Sequence, residues 1–151
     1  MNPHKPKSYY SLSFDFKFEF GNDDVFIAYT VPYTYTKIIS HIKQLKLLSD
    51  STRADFVKFK SIGKSNGGLD MPLIQISNPS KIGPDPGKPT ILIIGRQHSG
   101  ETHSSFIIHG LLNFLMSRDP LAFKLRDAIE FMVIPAMNPD GIVCGNYRCN
   151  T

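Results

Sequence analysis

His98 and Glu101, in the run Gly95-Arg96-Gln97-His98-Ser99-Gly100-Glu101-Thr102, set an imidazole and a carboxylate three residues apart. Neutral imidazole and carboxylate are both good zinc ligands, and a catalytic zinc commonly takes three protein ligands and a water. A spacing of three lets the two side chains converge on one point from a single turn. The spacing alone leaves a second possibility open: Glu101 caps the start of the helix that follows, as an anion favoured at a helix N-terminus, while His98 is simply exposed in the loop.

The elements around that turn suit a binding site. "TILIIG" (90–95) is apolar on both faces, as expected of a central strand in a sheet covered on both sides. After the turn, Phe106, Ile107, Leu111, Leu112 and Leu115 mark a helix of about four turns. In sheets covered by helices, ligands bind beyond the carboxyl ends of the strands, which is where His98 and Glu101 fall. "PLAFKLRDAI" reads as a second short helix with Pro120 in its first turn, and "EFMVIPAM" as another buried strand. "NPDG" (138–141) leaves that strand in a tight turn, with the Asn138 and Asp140 side chains satisfying backbone groups.

Upstream, "SLSFDFKFEF" alternates, with Leu12, Phe14, Phe16, Phe18 and Phe20 on one face. With the turn at 21–24, "VFIAYTV" should return as its partner in a hairpin. Pro32 breaks this segment, and the pattern changes to helical spacing at Ile38, Ile42 and Leu45, capped by Thr34 or Thr36. "ADFVKFKSIG" and "MPLIQIS" read as strands joined by the turn at 64–70, and 78–89 is a proline- and glycine-rich loop. From Thr36 onward the alternation is α/β.

Composition narrows the function. The 151 residues are 41% hydrophobic and 20% charged, the balance of a globular chain that can bury a core. The net charge of +4 is dispersed, with no polybasic run, so nucleic acid is not implied. No stretch approaches a membrane span, and the N-terminus has no apolar signal core. Cys144 and Cys149 lack the second pair of a zinc knuckle and read as free thiols, which points to a reducing, cytosolic compartment.

Taken together, "GRQHSGET", the helix after it, "VIPAMNPDG" and "GNYRC" resemble the zinc carboxypeptidases, in particular their cytosolic carboxypeptidase branch. The earlier "DDVFIAYTVPYTYT" resembles the join between that branch's β-sandwich and its peptidase domain. The resemblance runs from about Ser8 onward. It implies an α/β fold: a partial mixed-sheet peptidase domain over 34–151, preceded over 1–33 by a β-hairpin remnant of a β-sandwich.

By position, the resemblance makes His98 and Glu101 the first two ligands of a Zn2+ ion. It makes Arg148 the arginine that polarises the scissile carbonyl and stabilises the oxyanion. For Arg148 the alternative is a surface salt bridge. Ser99 stands where the branch usually has proline, a change expected to alter loop stiffness more than chemistry.

The remaining histidines read as non-ligands. His109 lies nearly two turns beyond Glu101, His103 is a position the family does not use, and His4 and His41 are expected at the surface. The family's second histidine ligand, its general-base glutamate and its asparagine-arginine clamp all lie further downstream than Thr151. Glu19 and Glu130 are not credible general bases.

The implied reaction is removal of C-terminal residues from a polypeptide by metal-activated water, with glutamates on tubulin tails as a candidate substrate. This chain is expected to be a truncated form, inactive alone. The alternative is a non-catalytic binding or docking module derived from the same family.

Overall fold

The computed structural model describes residues 11–79 and 87–149. Helix α1 (Tyr35–Thr52) starts where Thr34 Oγ1 accepts the Lys37 N–H at 3.1 Å and stops at Arg53 in the left-handed region. It is followed by β1 (Val57–Lys64), β2 (Asp70–Ile76), β3 (Thr90–Ile94), α2 (Thr102–Leu115), α3 (Pro120–Ala128), β4 (Glu130–Ile134) and α4 (Pro139–Cys144).

The strands form one mixed sheet in the order β1-β2-β4-β3. β1 pairs antiparallel with β2, and β2 antiparallel with β4. β3 lies parallel to β4, with Ile91 opposite Phe131 and Ile93 opposite Val133. That parallel pair needs a crossover, which α2 and α3 supply.

The core lies where the helices meet β2 and β4. Ile74, Ile76, Val133, Leu112 and Leu115 are all essentially inaccessible, with Leu45 of α1 and Ile108 of α2 packed among them. Each such side chain contributes about 1.5–3 kcal/mol relative to exposure. α3 is fastened by the buried Arg126, whose Nε donates to Asn78 Oδ1 at 3.1 Å and whose Nη1 donates to Leu115 O and Ser117 O. Asp119 caps that helix by accepting the Leu121 N–H at 2.7 Å, just before Pro120.

Four sequence expectations change. The hairpin expected from "SLSFDFKFEF" and "VFIAYTV" is not formed: 11–34 carries no strand or helix, and Leu12, Phe14, Phe16, Phe18 and Phe20 are exposed. An isolated two-stranded hairpin is marginal in water, and no other described element covers that apolar face. β3 is an edge strand of the described sheet and not a doubly covered one; Ile91, Leu92 and Ile94 are about half exposed. In α2 the buried line runs through Thr102, Ser105, Ile108, Leu112 and Leu115, while Phe106 and Ile107 face outward. His41 is buried, not at the surface, and stacks on His109 with ring centroids 3.5 Å apart. His4 and the centre of the proline-rich loop lie outside the described residues.

Candidate metal centre

The site forms at the carboxyl ends of β3 and β4, because the two parallel strands stay in contact beyond their ladders. Gly95 N donates to Ile134 O at 2.8 Å, Met137 N to Gly95 O at 2.9 Å and Asn138 N to Arg96 O at 3.1 Å. The turn after β3 carries His98 and Glu101. The segment after β4 carries Asn138, α4 and Arg148.

His98 Nδ1 lies 3.2 Å from Glu101 Oε1, and the two side chains are 33% and 37% exposed. Glu101 occupies the cap position of α2 but makes no capping hydrogen bond with its side chain, so the carboxylate is aimed at the imidazole. The capping alternative thus lacks its hydrogen bond, although the carboxylate still stands at the positive end of α2.

On the other side of the ring, Arg148 Nη2 is 3.2 Å from His98 Nε2. A guanidinium has only donors, so Nε2 accepts and the ring proton sits on Nδ1, donated to Glu101. Arg148 thus contacts the candidate ligand and makes no ion pair with a carboxylate among the described residues.

The surrounding frame is built from short polar links. Asn138 caps α4, its Oδ1 accepting the Gly141 N–H at 3.0 Å while its Nδ2 donates to Arg148 O at 3.4 Å. The expected tight turn at "NPDG" is therefore the first turn of a helix, with proline at a position that needs no N–H donor. Asp140 accepts from Ser65 Oγ at 2.6 Å and Gly67 N at 3.0 Å, fixing α4 to the β1–β2 connection.

Ser99, buried, donates to Asn146 O at 2.5 Å. Its role is thus more than loop stiffness, since proline at this position could not make that link. Gly100 N donates to Tyr147 O at 2.6 Å, and a Cβ on Gly100 would meet the Tyr147 Cα at 3.0 Å. Only glycine allows so close an approach.

Beside the pair lies an open cleft of about 600 Å³, walled by Tyr29, Tyr33, Arg96, Gly100, Ile142 and Tyr147. Its walls do not include His98, Glu101 or Arg148. Two of its wall residues, Tyr29 and Tyr147, meet edge to face at 5.7 Å.

The other sequence candidates fall elsewhere. His103 is exposed on α2, and His109 shares a hydrogen bond between its Nδ1 and the Tyr33 hydroxyl at 2.5 Å. Glu130 accepts from Gln75 and from Thr90 Oγ1 at the opposite, amino end of β4. Cys144 and Cys149 are free and exposed.

The imidazole and carboxylate fit two places of a zinc shell. Among the described residues no group of three or more His, Cys, Asp or Glu side chains converges. Arg96 and Tyr147, which the sequence reading gave no role, are part of the frame. Their signal was adjacency alone: one lies two residues before His98, the other one residue before Arg148.

Residues 42–150 match the family described as Zinc carboxypeptidase. "Cytosolic carboxypeptidase 2" of Danio rerio is 36% identical over 145 residues, covering 95% of this chain and 20% of that protein. "Cytosolic carboxypeptidase 6" of Mus musculus is 36% identical over 141 residues, covering 93% of this chain and 25% of that protein. The solved structure of a metallo-carboxypeptidase from Burkholderia cenocepacia superposes with a TM-score of 0.68 at 30% identity, over 79% of this chain and 30% of that one. The chain thus spans about a fifth to a quarter of the length of these two curated relatives.

Proposed function

Because the chain belongs to the zinc carboxypeptidase family, we propose that His98 and Glu101 supply two ligands of a catalytic zinc for hydrolysis at polypeptide C-termini. In this reading residues 34–151 are the opening part of the peptidase domain, and 1–33 belong to the unit that precedes it. One observation carries the reading. An imidazole nitrogen and a carboxylate oxygen face each other at 3.2 Å, about one-third exposed to solvent, beyond the ends of two parallel strands.

Zinc, when bound, supplies a Lewis acid for water and for the scissile carbonyl. The chain's own residues do the rest described here. His98 offers Nδ1 once its proton is displaced, and Glu101 offers Oε1. Arg148 brings a permanent positive charge to the same edge of the site, where it suits an oxygen that gains charge in the transition state.

Two ligands hold zinc weakly, so this 151-residue chain alone is expected to bind it loosely and to hydrolyse no peptide at a measurable rate. The substrate class is a polypeptide C-terminus, and acidic, glutamate-ending tails of the tubulin kind are the first to assay. The assignment to the cytosol is supported by the names of the relatives. Among the described residues no helix is long and apolar enough to cross a membrane.

A competition titration with zinc, run on the chain and on His98→Ala and Glu101→Ala, tests this reading. Weak binding lost in both variants supports it; binding unchanged in either variant, or absent from the parent, refutes it. A second reading, a docking module without catalysis, draws on the exposed Phe14–Phe20 stripe. It gains ground if the parent is a soluble monomer that binds no zinc.

A further inference from the structure

We propose that Arg96 is the positioning residue of the His98–Glu101 turn, an inference that rests on the metal reading above. Its side chain is 4% exposed. Among the described residues no carboxylate pairs with it: every partner is a neutral oxygen. Nε donates to Ser99 O at 2.8 Å, and Nη2 donates to the same oxygen. Nη1 donates to Tyr33 O at 2.7 Å and to Ser105 Oγ at 3.1 Å. Burial lowers its pKa from the ordinary guanidinium value.

The geometry shows what those donors do. Ser99 O belongs to the peptide between the two candidate ligands. A forked, two-pronged grip on that oxygen fixes the plane of the Ser99–Gly100 peptide. The same peptide's N–H, on Gly100, donates to Tyr147 O at 2.6 Å, next to Arg148. With both ends of one peptide held, the backbone on either side can send His98 and Glu101 toward a common point.

Arg96 reaches beneath the turn because its own backbone is in the left-handed region, φ 52°, unusual for a residue with a side chain. Its main chain is tied as well: N donates to Ser104 Oγ at 3.1 Å, and O accepts from Asn138 N at 3.1 Å. Through Tyr33 O it also binds the turn to the segment entering α1.

Arg126 is the natural control. It is equally buried, its pKa is likewise lowered by burial, and its guanidinium also binds carbonyls, yet none of its partners belongs to the metal turn. Loss of either arginine should lower global stability; only loss of Arg96 should loosen the turn beyond that.

The test compares Arg96→Met, Arg96→Lys and Arg126→Met in the intact chain. Without metal, amide hydrogen exchange is read at Gly100 and Thr102, against the amides of β2 and β4. With zinc, affinity is read by competition. Arg96→Met should speed exchange at Gly100 and Thr102 about tenfold relative to the strands and weaken zinc about tenfold, the effect of losing a charged donor to a buried carbonyl. Arg96→Lys should fall between, because an ammonium cannot reproduce the planar fork. Arg126→Met should leave both ratios at the parental value.

Exchange at Gly100 that stays in step with the strands in Arg96→Met overturns the proposal, as does an equal local effect from Arg126→Met. If Arg96→Met does not fold, Arg96→Lys decides alone, and parental behaviour in both arms refutes the fork. A parent that binds no zinc refutes the metal reading, while the exchange arm still rules on the positioning role.

Discussion

Two helical glycines should respond to the same substitution with opposite signs. Gly110 lies within α2 with nothing within 4 Å of an added Cβ, whereas Gly141 lies in the first turn of α4 at the centre of the site frame. At Gly141 a Cβ would sit 2.7 Å from Ser99 Oγ, 2.8 Å from Asn138 Nδ2 and 2.8 Å from Cys149 O. All three are far inside the separation of about 3.5–4.0 Å at which such atoms attract.

None of the three can simply turn away. Ser99 is held by Asn146 O, Asn138 caps the helix, and Cys149 O is backbone. Helix propensity favours alanine over glycine by about 1 kcal/mol at both sites. Overpacking costs about 1–3 kcal/mol, and disturbing the Asn138 cap about another 1 kcal/mol. Gly141→Ala should therefore be destabilised by about 2 kcal/mol, and Gly110→Ala stabilised by about 0.5–1 kcal/mol. With about 2–4 °C per kcal/mol for a chain of this size, Gly141→Ala should melt about 4–8 °C lower. Thermal unfolding followed by far-ultraviolet circular dichroism reads both. A Gly141→Ala midpoint at or above the parent's would refute the packing of turn, cap and Cys149 carbonyl around this glycine.

Other substitutions probe other parts. Burial, the stacked His41 and Lys37, in that order, hold the His109 pKa below its ordinary 6.5. The unfolded chain then takes up its proton first, so this contribution to stability is complete above about pH 6.5 and is lost as pH falls from there toward the lowered folded value. His109→Gln should flatten that acid-side slope of the unfolding midpoint, and an unchanged slope would contradict the assignment. Asp140→Ala removes the links to Ser65 and Gly67 and should cost about 1–2 kcal/mol in urea unfolding; a loss near zero would show that α4 is not anchored there. Arg148→Met lets the His98 ring proton move to Nε2, which leaves Nδ1 open to the metal, and should tighten zinc binding by about two- to tenfold, the worth of one net hydrogen bond. Weaker binding would instead make Arg148 a support of the metal turn.

Much of this was legible where chemistry is local. The threonines before a helical pattern, Pro120 in a helix's first turn and the four apolar strands all declared themselves through terminus chemistry and period. The contact between His98 and Glu101 is one that their spacing allows, alongside the capping alternative. What escaped depends on groups distant in sequence. Arg96 looks like any loop arginine until Tyr33, 63 residues earlier, comes to rest beside it. Ser99 gains its meaning from Asn146, 47 residues later.

His41 was within reach: it stands three residues after Ile38 and four before Leu45, on the line that α1 buries. A polar ring on a helix is expected at the surface, whereas Asn113 and the face of His109 satisfy it inside. The Phe14–Phe20 alternation shows the reverse failure, because a strand pattern yields a strand only where a second layer covers it.

The central claim is that one imidazole and one carboxylate share a cation at this turn. X-ray absorption at the zinc edge, on the zinc-loaded chain, tests it most directly. The account predicts one histidine nitrogen at about 2.0–2.1 Å and carboxylate and water oxygens at about 2.0–2.2 Å, with the nitrogen shell lost in His98→Ala. A sulfur shell at about 2.3 Å, placing the metal on Cys144 or Cys149, or a spectrum unmoved by His98→Ala, would contradict it.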